Sequence, residues 1–259
     1  MTQSGLFDLS GKVALVTGST RGIGLAIAEE MARAGAEVII TSNESEACSS
    51  VAARLRDAGL RANGIWCDVA SRSALEGLVA AVLARHGRID VLVCNAGVQP
   101  ALGSLHERSD ADWDATMTVN LRSVLWLTSL VIPQMAAQAD GSVILMASIS
   151  ASRGNKAIGL YALSKAGCAQ LARNLAVEWG PSNVRVNSIA PGLIATDFSR
   201  SLLADPAALK RRLALTPLRR IGEPVDVAGV AVMLAARAGA FITGQNLVID
   251  GGTLISDGN

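Results

Sequence analysis

Thr17-Gly18-Ser19-Thr20-Arg21-Gly22-Ile23-Gly24 is the stretch on which the fold of this 259-residue chain turns. It follows an apolar run of strand length, Val13 to Val16, and opens a helix. A glycine has no Cβ, so the backbone of such a turn can approach a pyrophosphate, whose charge is met by the helix N-terminus. The spacing is G-x-x-x-G-x-G, which departs from the commoner dinucleotide fingerprint G-x-G-x-x-G. By itself the turn is equally a tight corner with no ligand. Its place between a strand and a helix favours phosphate binding and makes Gly18, Thr20, Arg21, Gly22, Ile23 and Gly24 candidate cofactor-binding residues.

Working outward, runs of strand length recur at Val38 to Thr41, Ala62 to Trp66, Val91 to Cys94, Val143 to Met146, Val184 to Ile189 and Leu247 to Ile249. Most are continuously apolar, which suits strands buried on both faces. Between them lie helical patterns. Ser73-Ala74-Leu75-Glu76 reads as a capping box, followed by Leu75, Leu78, Val79, Val82 and Leu83 at helical spacing. A second helix runs from about Gly159 to Trp179 and stops at Gly180-Pro181, where glycine tolerates positive φ and proline cannot donate. The alternation predicts an α/β fold: one domain over residues 1–259, with a single doubly wound parallel sheet of about seven strands (a Rossmann fold) and helices on both faces. Leu193 to Arg220, with Pro206 and Pro217, breaks the rhythm and is too long for an ordinary connection. It is read as a substrate lid.

Half of the residues are apolar, enough for a large core. Lys and Arg total 23 against 22 Asp and Glu, so no field concentrates polyanions or anionic membranes, and neither nucleic acid nor membrane is an expected partner. Met1 to Lys12 has no basic start followed by an apolar stretch, and no later window reads as apolar over the roughly 18 residues of a span. The expected location is the cytoplasm. Cys48, Cys67, Cys94 and Cys168 show no paired metal-ligand spacing, and all but Cys48 sit in apolar surroundings typical of buried, reduced thiols. His86 and His106 lie in polar, exposed-looking segments without a cysteine or carboxylate cluster, so no metal site is expected.

In an open parallel sheet, ligands bind outside the carboxyl ends of the strands. Thr17, Ser42, Asp68, Asn95, Ser148 and Pro191 each fall at or just after the end of a different predicted strand, so they should converge on one edge as a cofactor cleft. Tyr161 and Lys165 are four apart on the predicted helix, hence one turn apart on one face. A phenol gives up its proton only near pH 10 unless a nearby cation stabilises its anion, and Lys165 can supply that cation. Such a phenol can protonate a carbonyl oxygen as hydride arrives, or take the alcohol proton in reverse. Ser148 would hydrogen-bond and position the same oxygen. A Tyr and a Lys at this spacing are also a commonplace amphipathic pair. Here, though, Tyr161 is the one tyrosine of the chain.

Thr17 to Gly24, Asn95-Ala96-Gly97, Ser148, Tyr161-x-x-x-Lys165 and Pro191-Gly192, taken in order, resemble the short-chain dehydrogenase/reductase family across essentially the whole chain. The resemblance implies an NAD(P)(H)-dependent oxidoreductase that transfers hydride between nicotinamide and a carbonyl or secondary-alcohol carbon. It implies Asp68 and Val69 at the adenine ring, Asn95, Ala96 and Gly97 supporting the cofactor cradle, and Thr196 on the nicotinamide carboxamide. Pro191, Gly192, Ile194 and Tyr161 join the cofactor-side residues. Lys165 gains a second task on the nicotinamide ribose, and Asn120 a catalytic place in a proton relay through Lys165. Asn95 can equally be a structural cap between neighbouring strands. Asn120, polar inside a largely apolar helix, needs a buried partner in either role. Family members are usually homotetramers built through helices near Asp110 to Gln138 and Gly159 to Trp179 and through the C-terminal strand, and the apolar segment Phe241 to Ile255 suits such an interface.

An acidic residue ending the second strand accepts the adenosine ribose hydroxyls and repels a 2′-phosphate, whereas arginine there favours the phosphate. In Thr41-Ser42-Asn43-Glu44, Ser42 stands where NAD-preferring relatives usually carry aspartate and Asn43 where many NADP-preferring relatives carry arginine. Arg21 can reach a 2′-phosphate, as similar arginines do in β-ketoacyl-acyl carrier protein reductases; Glu44 would repel it if turned inward. The missing carboxylate at Ser42 tilts the expectation to NADP(H) over NAD(H).

The expected substrate wall comprises Val98, Gln99, Ser150 to Asn155, and Leu193, Phe198, Leu202 and Leu203 of the lid. It is largely apolar and suits a medium-sized apolar ketone or alcohol, with a β-ketoacyl thioester or a sugar or polyol as alternatives. Arg153, Lys156 and Arg200 can instead meet a carboxylate or phosphate, although exposed basic residues are more often just solvated. Ala190 to Gly222 resembles peroxisomal-type carbonyl and retinal reductases of the family. A non-catalytic dinucleotide sensor is the alternative of another class. Such proteins typically lose the tyrosine or the lysine, and both are present here. A lyase or epimerase would want a longer substrate domain than the about 68 residues after Pro191.

Overall fold

The computed structural model describes residues 5–99 and 102–256, with the side chains of Ser201 and Leu202 outside that description. The strands are β1 (Val13–Thr17), β2 (Glu37–Ser42), β3 (Ala62–Trp66), β4 (Val91–Cys94), β5 (Gly141–Met146), β6 (Val184–Pro191) and β7 (Asn246–Ile249). The helices are α1 (Gly22–Arg33), α2 (Ser45–Asp57), α3 (Arg72–His86), α4 (Asp110–Met117), α5 (Ser123–Ala137), α6 (Gly159–Trp179), α7 (Arg200–Leu203), α8 (Pro206–Ala214) and α9 (Pro224–Ala235).

The strands form one seven-stranded sheet in the order β3-β2-β1-β4-β5-β6-β7, with every neighbouring pair parallel. This is the expected doubly wound sheet. All residues of β1, β4 and β5 are buried, as continuous apolar runs require when both faces are covered. β3 is an edge strand: Ala62 is buried, and Asn63, Gly64, Ile65 and Trp66 then alternate between half-buried and exposed positions.

On one face Ile27 and Met31 of α1, Leu55 of α2 and Val227 of α9 close over Val16, Ile40 and Val93. On the other, Leu78 of α3, Leu127 and Val131 of α5 and Cys168 of α6 close over Leu15, Leu92 and Val143. The winding reverses between β1 and β4. A crevice opens there at the carboxyl ends of the strands.

Local readings change in several places. Ser71, not Ser73, caps α3: its hydroxyl accepts from Ala74 N at 3.2 Å. The turn that precedes the helix, with Ser71 N donating to Asp68 O at 3.0 Å, sets the start earlier, and Glu76 reaches Arg72 instead of a cap. α6 ends at Trp179 as expected, yet Gly180 keeps helical angles and the positive φ falls on Asn183, after the 3-10 turn Gly180–Ser182 that contains Pro181. Cys48 is buried like the other three cysteines, because it lies on the α2 face that contacts the sheet.

His106 is exposed, whereas His86 is half-buried with Nε2 shielded and unpartnered. Against the expectation of no apolar window of that length, the continuous helical stretch Asp110–Ala137 is long and apolar enough by composition to cross a membrane. Here Val124, Leu127, Val131, Ile132 and Met135 of that stretch are buried in the core, which accounts for its apolar character. Among the described residues no cluster of His, Cys, Asp and Glu could hold a metal ion. The segment read as a lid contains α7 and α8, the latter with Pro206 in its first turn and Asp205 accepting from Ala207 N and Ala208 N at 3.0 and 3.1 Å.

Candidate active site

The crevice is a cleft of about 730 Å³. Its floor begins at the glycine turn, where Gly18 takes a φ of +62° and a Cβ on Gly24 would fall 2.3 Å from Gly18 O and 2.4 Å from Asn95 Nδ2. Only glycine permits that approach. The N-cap of α1, Arg21, makes no side-chain cap bond, so the first N–H groups of the helix remain available to an anion. An uncapped helix start opening into a cleft, behind a turn too tight for a Cβ, fits a dinucleotide pyrophosphate.

Asn95 clamps this turn from the neighbouring strand, with Nδ2 donating to Thr17 O at 2.9 Å and Gly18 O at 3.0 Å. Thr17 Oγ1 returns the tie by accepting from Asn95 N and Ala96 N, both at 3.0 Å. Thr17 is therefore buried beneath the cleft, while Ser42, Asp68, Asn95, Ser148 and Pro191 line it. Every residue expected on the cofactor side lines the same cleft. The foot of the lid closes on the glycine turn: a Cβ at Gly22 would lie 3.4 Å from Thr196 Cγ2.

At the ribose end of β2, Ser42 is buried and accepts from Glu44 N at 3.2 Å. Asn43 is exposed and its carbonyl accepts from Trp66 Nε1 at 3.2 Å. Glu44 turns to Arg21, with Nη1 to Oε1 at 2.9 Å. The arginine that could meet a 2′-phosphate and the glutamate that could repel one hold each other at the rim.

Ser148, Tyr161 and Lys165 also line the cleft. Ser148 N-caps the short turn Ile149–Ser152, its Oγ accepting from Ser150 N at 3.1 Å. No acceptor among the described residues takes the Ser148 hydroxyl hydrogen, so that hydrogen is free to point at a substrate oxygen. The Tyr161 hydroxyl likewise has no protein partner among the described residues.

Lys165 is 4% exposed, donates to Met146 O at 2.7 Å, and holds its ammonium 5.7 Å from the centre of the Tyr161 ring. Two of its three N–H donors remain for other groups. Phe198 of the lid reaches the same tyrosine, ring centre to ring centre 5.9 Å.

Asn120 is fully buried on the single π-helical turn Thr118–Arg122 between α4 and α5, a kind of turn that is frequent at functional sites. Its Oδ1 accepts from Val98 N at 2.8 Å, and its Nδ2 donates to Val98 O at 2.9 Å and Ser164 Oγ at 3.2 Å. These bonds use the amide to pin the Asn95-to-Val98 turn to α6. A Cβ at Gly97 would lie 3.2 Å from Asn120 Oδ1 and 3.6 Å from Lys165 Nζ, so amide and ammonium face each other across a glycine. Asn120 itself does not line the cleft.

Of the expected substrate-wall residues, Val98, Gln99, Ser150, Arg153, Leu193 and Phe198 line the cleft, Ala151, Ser152, Gly154, Asn155 and Leu203 do not, and the side chain of Leu202 lies outside the described residues. Ile158, Arg212, Thr216 and Thr253 also line it and were not expected. Thr216 and Thr253 join lid to C-terminal segment through their hydroxyls at 2.9 Å. No periodicity marks such a pair, because it forms only when segments far apart in sequence meet. The buried thiols stay protonated: burial pushes Cys67 up to about 11 and raises Cys94 and Cys168 above the ordinary thiol value.

Residues 18–253 match the family described as enoyl-(acyl carrier protein) reductase. Dehydrogenase/reductase SDR family member 4 of Bos taurus is 41% identical over 246 residues, covering 95% of this chain and 88% of that protein. The chain belongs to the short-chain dehydrogenase/reductase family. Solved structures of similar proteins include a gluconate 5-dehydrogenase from Burkholderia cenocepacia J2315 in complex with NADP and tartrate, at TM-score 0.94 and 34% identity, covering 98% of this chain and 99% of that one. Another is a 7α-hydroxysteroid dehydrogenase complexed with NADH and 7-oxo glycochenodeoxycholic acid, at TM-score 0.92 and 34% identity, covering 97% and 98%. This short-chain dehydrogenase/reductase is an oxidoreductase that uses a nicotinamide dinucleotide.

Proposed function

We propose that the enzyme interconverts a ketone and a secondary alcohol of medium size and largely apolar body, with Tyr161 as general acid/base. The observation that carries this reading is one cleft lined both by the uncapped start of α1 and by Tyr161, Lys165 and Ser148. When bound, the nicotinamide supplies or takes the hydride. Ser148 donates its free hydrogen to the carbonyl oxygen and fixes it; Tyr161 gives the same oxygen a proton, or takes it back in oxidation. Lys165, anchored at Met146, stabilises the phenolate that remains and offers its other donors to the ribose hydroxyls. Asn120 holds the turn facing that ammonium and is assigned to the relay that returns the proton.

Val98, Ile158, Leu193 and Phe198 give the substrate an apolar wall, and the lid over residues 193–220 closes on it. NADP(H) is favoured over NAD(H): the buried Ser42 offers no carboxylate to repel a 2′-phosphate, and Arg21 stands at the same rim. Exposed Trp113 on α4, Leu125 on α5, Leu163 and Val177 on α6, and Phe241 and Ile255 near the C-terminus support assembly into a homotetramer. The cytoplasm is the proposed location.

Oxidation of NADPH and of NADH, followed optically against a panel of ketones, β-ketoacyl thioesters and keto sugars, tests the reading. Turnover of apolar ketones is expected. Dinucleotide binding with no turnover of any panel member would indicate a sensor instead.

A further inference from the structure

The acidic side chains lining the cleft are Asp68 and Asp197. Asp68 stands at the end of β3, where its Oδ1 accepts from Ala70 N at 2.9 Å, and Asp197 is paired with Arg200. Two further guanidinium groups, Arg153 from the turn after Ser148 and Arg212 from α8 of the lid, line the same cleft. Neither has a carboxylate within ion-pair distance among the described residues.

The backbone that carries each of them is tied down. Asn155 Nδ2 donates to Ser150 O at 3.1 Å and Arg153 O at 2.8 Å, closing the loop that carries Arg153. Thr216 Oγ1 donates to Arg212 O at 2.9 Å and lies within hydrogen-bond distance, 2.9 Å, of Thr253 Oγ1. Burial lowers the pKa of Arg212, and the positive charges of Arg153 and then Arg211 push the same way. Arginine nevertheless keeps its charge in proteins. Like charges facing one cleft repel, and the repulsion grows when a ligand excludes water.

We propose that the substrate carries an anionic oxygen group, carboxylate or phosphate, received between Arg153 and Arg212. This rests on the ketone-alcohol reading of the same cleft and names its substrate class more narrowly: an apolar body with one anionic end. A forked guanidinium matches either oxygen group in two-point geometry. A neutral ketone would leave both charges uncompensated in a cleft it has dried, so neutral analogues should be the poorer substrates.

The test uses the purified full chain with 5-oxohexanoate and methyl 5-oxohexanoate as a matched pair, in the wild type, R153M and R212M. The acid is expected to exceed the ester at least about tenfold in kcat/KM, and each substitution to bring that ratio down toward one, through KM more than kcat. Equal efficiency of acid and ester, or a ratio unmoved by both substitutions, would overturn the proposal. If R212M does not fold, R153M on its loop carries the same expectation.

Calorimetric titration with hexanoate, hexyl phosphate and hexan-1-ol adds a readout independent of turnover. Tighter binding of hexanoate assigns a carboxylate, tighter binding of hexyl phosphate a phosphate, and either must weaken in R153M; an equal affinity for hexan-1-ol contradicts an anion site. Arginine-dependent anion binding without turnover of any ketone would leave the anion site standing and remove the ketone-alcohol reading.

Discussion

Lys165 Nζ stands 5.7 Å from the centre of the Tyr161 ring while donating to Met146 O at 2.7 Å. The bond to the last residue of β5 fixes an otherwise flexible four-carbon side chain, so the charge beside the phenol is a property of the sheet as much as of α6. Lys165→Met removes the cation and the ribose donors together. Turnover should fall by about 10²-fold or more and dinucleotide affinity should fall with it, measured by steady-state kinetics and by fluorescence titration with the cofactor. Loss of turnover at unchanged affinity would remove the ribose task.

Asn120 bonds both backbone groups of Val98. Asn120→Ala removes two hydrogen bonds to partly buried backbone groups, which at the usual net value of each is expected to cost about 1–3 kcal/mol in urea unfolding. Normal stability with lost activity would instead isolate the relay task.

The sheet was legible because most parallel strands covered on both faces read as apolar runs, such as Val13 to Val16 and Val91–Cys94, although Val184–Pro191 carries Arg185, Asn187 and Ser188 within it. The convergence on one cleft was legible because a strand end is a fixed address: Asn95 and Pro191 fall on the same edge of the sheet by position alone. Helix boundaries were less so. Ser71 and Ser73 are both good caps, and only the turn after Asp68 decides between them. The lid was the least legible: Arg212 looks like one more solvated charge of Lys210-Arg211-Arg212 until α8 turns it into the cleft.

Arg21 and Glu44 hold each other at 2.9 Å beside the buried Ser42. Glu44→Gln should free the guanidinium and raise kcat/KM with NADPH, while Arg21→Ala should lower it by about tenfold, the value of one charge-assisted bond. Efficiency with NADH should move less in both. A loss confined to NADH in Arg21→Ala would reverse the assigned preference.

Asp226 accepts from Glu223 N at 2.7 Å at the start of α9 and from Arg220 at 2.6 and 2.9 Å. The bond from Arg220, then that from Glu223, lowers its pKa to about 2 from 3.8. A lowered carboxylate pKa contributes stability that is full above about pH 4 and is lost as the pH falls toward about 2. Asp226→Asn should flatten the acid limb of the melting temperature in that window; an unchanged limb would show that the contacts at Asp226 do not govern it.

Tyr161→Phe keeps the ring against Phe198 and removes only the hydroxyl. Single-turnover hydride transfer in this variant, with cofactor affinity measured alongside, should be reduced by about 10²- to 10⁴-fold while the affinity stays close to wild type. Hydride transfer at a near-normal rate with the phenylalanine in place would contradict the assignment of Tyr161 as the acid/base.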